Sequence, residues 1–231
     1  MIRAVIFDID NTLTDFMRMK RAAVDSAVES MIDAGLQVRK DVMVEKIFET
    51  YWKEGVEDQK IFDKVLKKEF GGIDYKLLAA GIVGYRRAKA GIMALYPHVS
   101  LTLLEIMRLG IRSVALSDAP KLEVWLRIVG LGLHHYFDQV ITSEDLGARK
   151  PAPEPFRKAL DMLGTKPEET LMVGDWAERD MKGALDLGIR TAWAKYGDTH
   201  GTEDSGAEFV LSDIQELVGI IRKENAVSCC G

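Results

Sequence analysis

The sequence predicts an α/β protein: a doubly wound parallel sheet, with a bundle of helices inserted after its first strand. Three observations predict it. A nearly unbroken apolar run, Arg3-Ala4-Val5-Ile6-Phe7-Asp8-Ile9-Asp10, is rich in β-branched and aromatic residues and reads as a strand buried on both faces. About eighty residues of helical period follow it. From Pro97 onward helix and strand patterns alternate, which means parallel strands with helices on both faces.

The first strand ends in two carboxylates, Asp8 and Asp10. Like charges one residue apart at the edge of a core repel each other and resist desolvation, so they need a cation or a shared proton. Magnesium meets that need, because it is a hard ion that takes carboxylates together with water and substrate phosphate. The same residues also suit the start of a turn, with Asp10-Asn11-Thr12 supplying capping oxygens.

Helical patterns then run from Met19 to Ala34, Asp41 to Lys53, Asp58 to Phe70 and Tyr75 to Met93, punctuated by Gly35, Gly55 and Gly71-Gly72. Nothing among them repeats closely enough for a solenoid. After Pro97, Val99 to Leu109 is helical, Ile111 to Ser117 a strand and Lys121 to Val129 a helix. Phe137 to Thr142 reads as a short strand and Pro153 to Leu163 as a helix with prolines near its start. Thr170 to Asp175 is a further buried strand, Arg179 to Leu187 a helix stopped by Gly188, and Ile189 to Ala194 a strand. Phe209-Val210-Leu211 and a helix from Asp213 to Lys223 complete the pattern. The expected division is a sheet domain, 1–15 and 96–231, and a helical domain, 16–95. Its linkers, Thr14 to Arg18 and Leu95 to His98, fall near the carboxyl ends of the strands, where such sheets bind ligands. An inserted bundle in that position can act as a lid.

The chain has 231 residues, 47% of them hydrophobic, and a formal net charge of −5, which suits one large or two modest domains. It has no basic excess to bind nucleic acid and no charge that favours an anionic membrane. Met1-Ile2-Arg3 leads directly into a strand and every apolar run is too short or interrupted to span a bilayer, so no signal peptide or membrane segment is expected and the location is cytoplasmic. The expected assembly is a monomer or homodimer. The two cysteines, Cys229 and Cys230, are neighbours at the C-terminus. A trans peptide sets their Cα atoms only ~3.8 Å apart, too close for an ordinary disulfide, so none is expected to staple the fold.

Later strands and loops carry the remaining polar candidates. Ser117 ends a strand and precedes Asp118, so its hydroxyl and the next N–H suit either an anion or a helix N-cap. Lys150 lies in Gly147-Ala148-Arg149-Lys150-Pro151, where the proline restricts its backbone. A solvated loop lysine would read the same way. In Gly174-Asp175-Trp176-Ala177-Glu178-Arg179-Asp180 a buried strand again ends in a carboxylate, and the glycine permits a close approach. Asp180 falls where a helix N-terminus favours negative charge. Arg86, Arg87 and Lys89 cluster in the last helix of the bundle, either as a solvated face or as contacts to the far end of a substrate.

Taken in order, Asp8-x-Asp10-x-Thr12, Ser117, Lys150-Pro151 and Gly174-Asp175-x4-Asp180 resemble the four motifs of the haloacid dehalogenase-like hydrolase superfamily, and the inserted helices resemble its helical cap of the first type. The resemblance implies a Rossmann-like core and makes Asp8 a nucleophile that carries the phosphoryl group. It makes Asp10 the general acid and base, Thr12 a phosphate or loop-positioning contact, Ser117 with Asp118 part of the phosphate site, and Lys150 the neutralising cation. It implies Mg²⁺ held by Asp8, the Asp10 backbone carbonyl and Asp175, with Asp180 assisting. Phosphoryl transfer through a metaphosphate-like state needs mainly positioning and charge neutralisation, which such a set supplies. Asn11 stands where the family most often has glycine, and Trp176 where many members have a small polar residue; Trp176 receives no role.

The implied activity is Mg²⁺-dependent hydrolysis of a small phosphorylated metabolite, with glycolate, glyceraldehyde and sugar phosphates as candidates. A phosphomutase would use the same residues. A haloacid dehalogenase would need neither Mg²⁺ nor an acid at position 10. A non-enzymatic phospho-aspartate regulatory module would need neither the inserted helices nor the Asp175 and Asp180 pair.

Overall fold

A computed structural model of the chain describes residues 1–227, and Cys229 and Cys230 lie outside the described residues. The chain divides into two compact units, Met1–Asp15 with Ala94–Gly231, and Phe16–Met93.

The first unit opens with β1 (Ala4–Phe7), and the chain then leaves it for the four helices of the second: α1 (Phe16–Asp33), α2 (Lys40–Glu54), α3 (Ile61–Phe70) and α4 (Tyr75–Ile92). On its return it forms α5 (Val99–Arg108), β2 (Arg112–Ser117), α6 (Lys121–Gly130), β3 (Gln139–Thr142), the short α7 (Ser143–Leu146), α8 (Pro153–Leu163) and β4 (Thr170–Gly174). A π-helical turn (Ala177–Met181) leads into α9 (Lys182–Leu185), followed by β5 (Arg190–Ala194), β6 (Phe209–Leu211) and α10 (Glu216–Val227).

The six strands among the described residues are all parallel, in the order β3-β2-β1-β4-β5-β6. Successive side chains of β1 point to opposite faces, so Val5 and Phe7 join one apolar layer and Ala4 and Ile6 the other. The first layer is filled by Val99, Leu103 and Ile106 of α5, Val124 and Ile128 of α6, and Leu217 and Ile221 of α10. The second is filled by Phe156, Ala159 and Leu163 of α8 and by Met181 and Ala184. Helices on both faces make the sheet doubly wound, as the alternating sequence predicts. Strand order reverses at β1, which has β2 on one side and β4 on the other. Ligands of such sheets bind beyond the carboxyl ends at that switch point.

The register sets Phe7 level with Ala115 of β2 and Val173 of β4, so the chain emerging at Asp8 is beside Leu116 and Gly174. The two places where the chain exits and re-enters this unit are tied together: Thr14 and Leu95 form an antiparallel bridge, and Tyr96 N–H donates to the Leu13 carbonyl at 3.0 Å.

The helical unit has its own core, in which Val24, Val28 and Met31 of α1 pack with Met43 and Ile47 of α2, Val65 and Leu66 of α3 and Leu78 of α4. Lys20 is buried there with its ammonium 4.3 Å from the centre of the Tyr51 ring, 5.3 Å from that of Tyr85 and 5.7 Å from that of Phe16. No helix among the described residues is long and apolar enough to cross a membrane.

Among the boundaries that differ from expectation, these have local reasons. Asp58 accepts from Lys60 N–H at 2.7 Å, a turn that delays α3 to Ile61. Asp213 does the same with Gln215 N–H at 2.8 Å, and α10 starts at Glu216. The helix expected over Arg179 to Leu187 is a π-turn followed by only four α-helical residues. That last difference shapes the site.

Candidate active site

The carboxyl ends of β1, β2 and β4 and the loop before α8 meet in one buried polar cluster. Asp8 follows β1 directly and its N–H donates to the Val173 carbonyl at 2.9 Å, so the sheet hydrogen bonding continues through the residue and fixes its backbone. Lys150 comes from the loop before α8. Its ammonium donates to Asp8 Oδ1 at 2.5 Å, to Asp180 Oδ1 at 2.6 Å and to the Leu116 carbonyl at 3.3 Å. Its side chain is only 3% exposed, so the solvated-loop alternative does not describe it.

Asp8, Asp175 and Asp180 each offer one carboxylate oxygen to a group whose members lie within 4.8 Å of one another, and all three residues are buried. Fully ionised, the three carboxylates would outnumber the Lys150 ammonium by two charges. Burial raises the Asp175 carboxyl well above the usual carboxylate range, and the charges of Asp8 and Asp180 add to the rise. Burial likewise pushes Asp180 up to about 7, with Lys150 opposing and Asp8 reinforcing. Burial acts against the charge on Lys150, yet Asp180, Asp8 and Asp118 together hold its ammonium above the ordinary lysine range. The cluster thus has the donor chemistry of a hard divalent cation, three carboxylate oxygens, and the charge to match it.

Local backbone features aim these groups. In the π-turn Lys182 N–H donates to the Ala177 carbonyl, Asp180 N–H donates to the Trp176 carbonyl at 2.7 Å, and the Asp180 side chain folds back over the end of β4, where Oδ2 accepts from Trp176 N–H at 3.0 Å. A Cβ on residue 174 would overlap the Asp180 carboxylate, so Gly174 is what admits Asp180 to the cluster. Asn11 takes the left-handed conformation (φ 59°), and its carbonyl lies against Gly197 so closely that a Cβ there would overlap it. Thr12 Oγ1 donates to Asp175 Oδ1 at 3.1 Å, and the Thr12 carbonyl accepts from the Tyr196 hydroxyl at 2.7 Å. Trp193 Nε1 donates to the Asp175 carbonyl at 2.7 Å.

A sequence model of the haloacid dehalogenase-like hydrolase family matches residues 2–188. The chain belongs to that family. It is similar to the glyceraldehyde 3-phosphate phosphatase of Methanocaldococcus jannaschii, with 34% identity over 96% of this chain and 98% of the relative. It is also similar to the enzyme of the same name from Methanopyrus kandleri, with 31% identity over 96% and 98% of the two chains. A crystal structure of a HAD phosphatase from Thermococcus onnurineus superposes with a TM-score of 0.68 at 26% identity, over 95% of this chain and 98% of that one.

The hydrolase fold draws Asp8, Thr12, Lys150, Asp175 and Asp180 of the expected set into direct mutual contact. Ser117 ends β2 buried, and its Oγ accepts from Ala119 N–H at 3.2 Å. Asp118 is tied to the scaffold: Oδ1 accepts from the Lys150 backbone N–H at 3.0 Å and Oδ2 from Arg179 at 3.3 Å. It thereby positions the loop that presents Lys150. The Asp10 carboxylate is not in the three-carboxylate cluster; its Oδ2 accepts from Arg127 Nη1 at 2.9 Å. Arg86 and Arg87 are exposed on α4, in the other unit.

Sequence reasoning missed Arg127, Arg179 and Gly197. Arg127 had a readable signal, since it falls three residues after Val124 and one before Ile128, on the stripe of α6 that must face the sheet. The Arg179 guanidinium stacks 3.8 Å above the Trp176 ring, whose plane also stacks on His200 at 4.1 Å. That gives Trp176 a packing role at the edge of the site.

Proposed function

We propose that the protein is a Mg²⁺-dependent phosphatase that hydrolyses a small phosphorylated metabolite through an aspartyl-phosphate on Asp8. The observation that carries this reading is the Lys150 ammonium set between Asp8 and Asp180, with Asp175 in the same cluster. It leaves a nucleophilic carboxylate oriented and charge-compensated at the switch point of the sheet. Asp8, Asp175 and Asp180, with the Asp10 backbone carbonyl, would hold Mg²⁺, whose charge when bound would neutralise the phosphoryl oxygens.

A carboxylate oxygen of Asp8 attacks phosphorus and the bond from phosphorus to the ester oxygen breaks. Asp10 gives the leaving alkoxide a proton. A water then attacks the same phosphorus, Asp10 takes its proton back, and the bond between phosphorus and the Asp8 oxygen breaks to free inorganic phosphate. Lys150 stays on Asp8 throughout, opposing charge on the nucleophile and on the phosphoryl group.

Glyceraldehyde 3-phosphate is the first substrate to test, because relatives bearing that name align over nearly their whole length. Purified enzyme should release inorganic phosphate from it with Mg²⁺ and not with EDTA. Asp8→Asn should abolish release and retain the wild-type melting temperature within a few degrees. Turnover by that variant near the wild-type rate would refute the mechanism, and conversion to an isomeric phosphate without phosphate release would establish a mutase.

A further inference from the structure

We propose that Arg127 is the positioning residue of Asp10, so that the acid–base apparatus is a carboxyl and guanidinium pair. The inference rests on the reading of Asp10 as general acid and base. Arg127 is among the largest fully buried side chains of the described residues and is 1% exposed. It occupies the inward stripe of α6 between Val124 and Ile128, both buried in the apolar layer beneath the sheet. From there its Nη1 reaches Asp10 Oδ2 at 2.9 Å, while the Asp10 side chain keeps 21% of its surface exposed.

Desolvating a guanidinium is costly, and a leucine or methionine would fill that place on α6 without the cost. Packing therefore does not account for the charge. The planar, rigid fork of arginine is suited to holding a carboxylate in one orientation. The two carboxylates of the first motif are consequently held by different cations from different elements: Asp8 by Lys150 of the loop before α8, and Asp10 by Arg127 of α6. This separation keeps the proton-transferring carboxylate apart from the three that crowd around Lys150, leaving it able to address the ester oxygen and then water. A displacement of about 1 Å at such a group can cost on the order of a hundredfold in rate.

The test compares Arg127→Met, Arg127→Lys, Asp10→Asn and the double variant Asp10→Asn/Arg127→Met in the full-length, Mg²⁺-loaded enzyme. With glyceraldehyde 3-phosphate, whose alkoxide must be protonated, Arg127→Met should lower kcat/KM by ~10-fold or more, since general acid help is worth ~10² to 10⁴ and the acid is misplaced but present. With p-nitrophenyl phosphate, whose leaving group needs little protonation, kcat/KM should fall less, and acid quenching should trap more phosphoenzyme than in the wild type. Arg127→Lys should recover part of the loss. In the Asp10→Asn background Arg127→Met should cost less than about twofold more.

Equal losses on both substrates, or a full multiplicative loss in the double variant, would overturn the inference. A deficient Asp10→Asn beside an unimpaired Arg127→Met would overturn it and leave the Asp10 reading in place. An unimpaired Asp10→Asn would instead remove the Asp10 reading itself. Should Arg127→Met not fold, the lysine variant decides by the same comparison of substrates.

Discussion

Without a divalent cation, the cluster of Asp8, Asp175, Asp180 and Lys150 should reverse the usual effect of mild acid on this enzyme. Burial pushes the Asp180 carboxyl up to about 7 in the folded protein, against 3.8 in the unfolded chain. The folded state therefore binds more protons than the unfolded state between these values. Stability is thus greatest at the acidic end of the window and is lost as pH rises toward 7. Raising one carboxyl that far is worth about 4 kcal/mol in all, of which about 3 kcal/mol falls above pH 5. For a chain of 231 residues a change of that size shifts the melting temperature by on the order of 5–10 °C. His200, lowered by burial, acts in the opposite sense, so the control is Asp180→Asn, which should flatten the fall. The assay is calorimetry between pH 5 and 8, first in EDTA and then with Mg²⁺. The metal-free melting temperature should drop across that range, and Mg²⁺ should raise it more at pH 8 than at pH 5, because a proton on Asp180 competes with the cation at the lower pH. A metal-free melting temperature that is flat or rises with pH, or a Mg²⁺ effect equal at both ends, would refute the charge accounting of the site.

Gly174→Ala should lower Mg²⁺ affinity and activity together by ~10-fold or more, because the added Cβ displaces the Asp180 carboxylate, and isothermal titration with Mg²⁺ alongside phosphate release checks it. Lys150→Met leaves buried carboxylates without their ammonium; it should destabilise the metal-free protein by about 3–5 kcal/mol in denaturant titrations, with Mg²⁺ restoring part of that, and abolish turnover.

Hydrophobic period alone determined the order and type of nearly every element, because strands buried on both faces and helices buried on one leave patterns of period two, continuous or 3.6 in the residues themselves. It also set Asp8 and Asp175 at the ends of apolar strands, where a charge is conspicuous in one dimension, whereas Lys150, beside a proline in a loop, read equally as a solvated lysine. The family resemblance then joined those marks into one site. What the sequence did not disclose was how the charges divide. The π-turn that returns Asp180 over Gly174, the Asp118 carboxylate spent on the Lys150 backbone, and the Arg127 guanidinium brought to Asp10 from 117 residues away all depend on which chain segments the sheet order makes neighbours. Electrostatic partners are chosen by distance in space, and desolvation sets how much each pairing matters. Only the tertiary structure decided that Lys150 serves Asp8 and Asp180 while Arg127 serves Asp10.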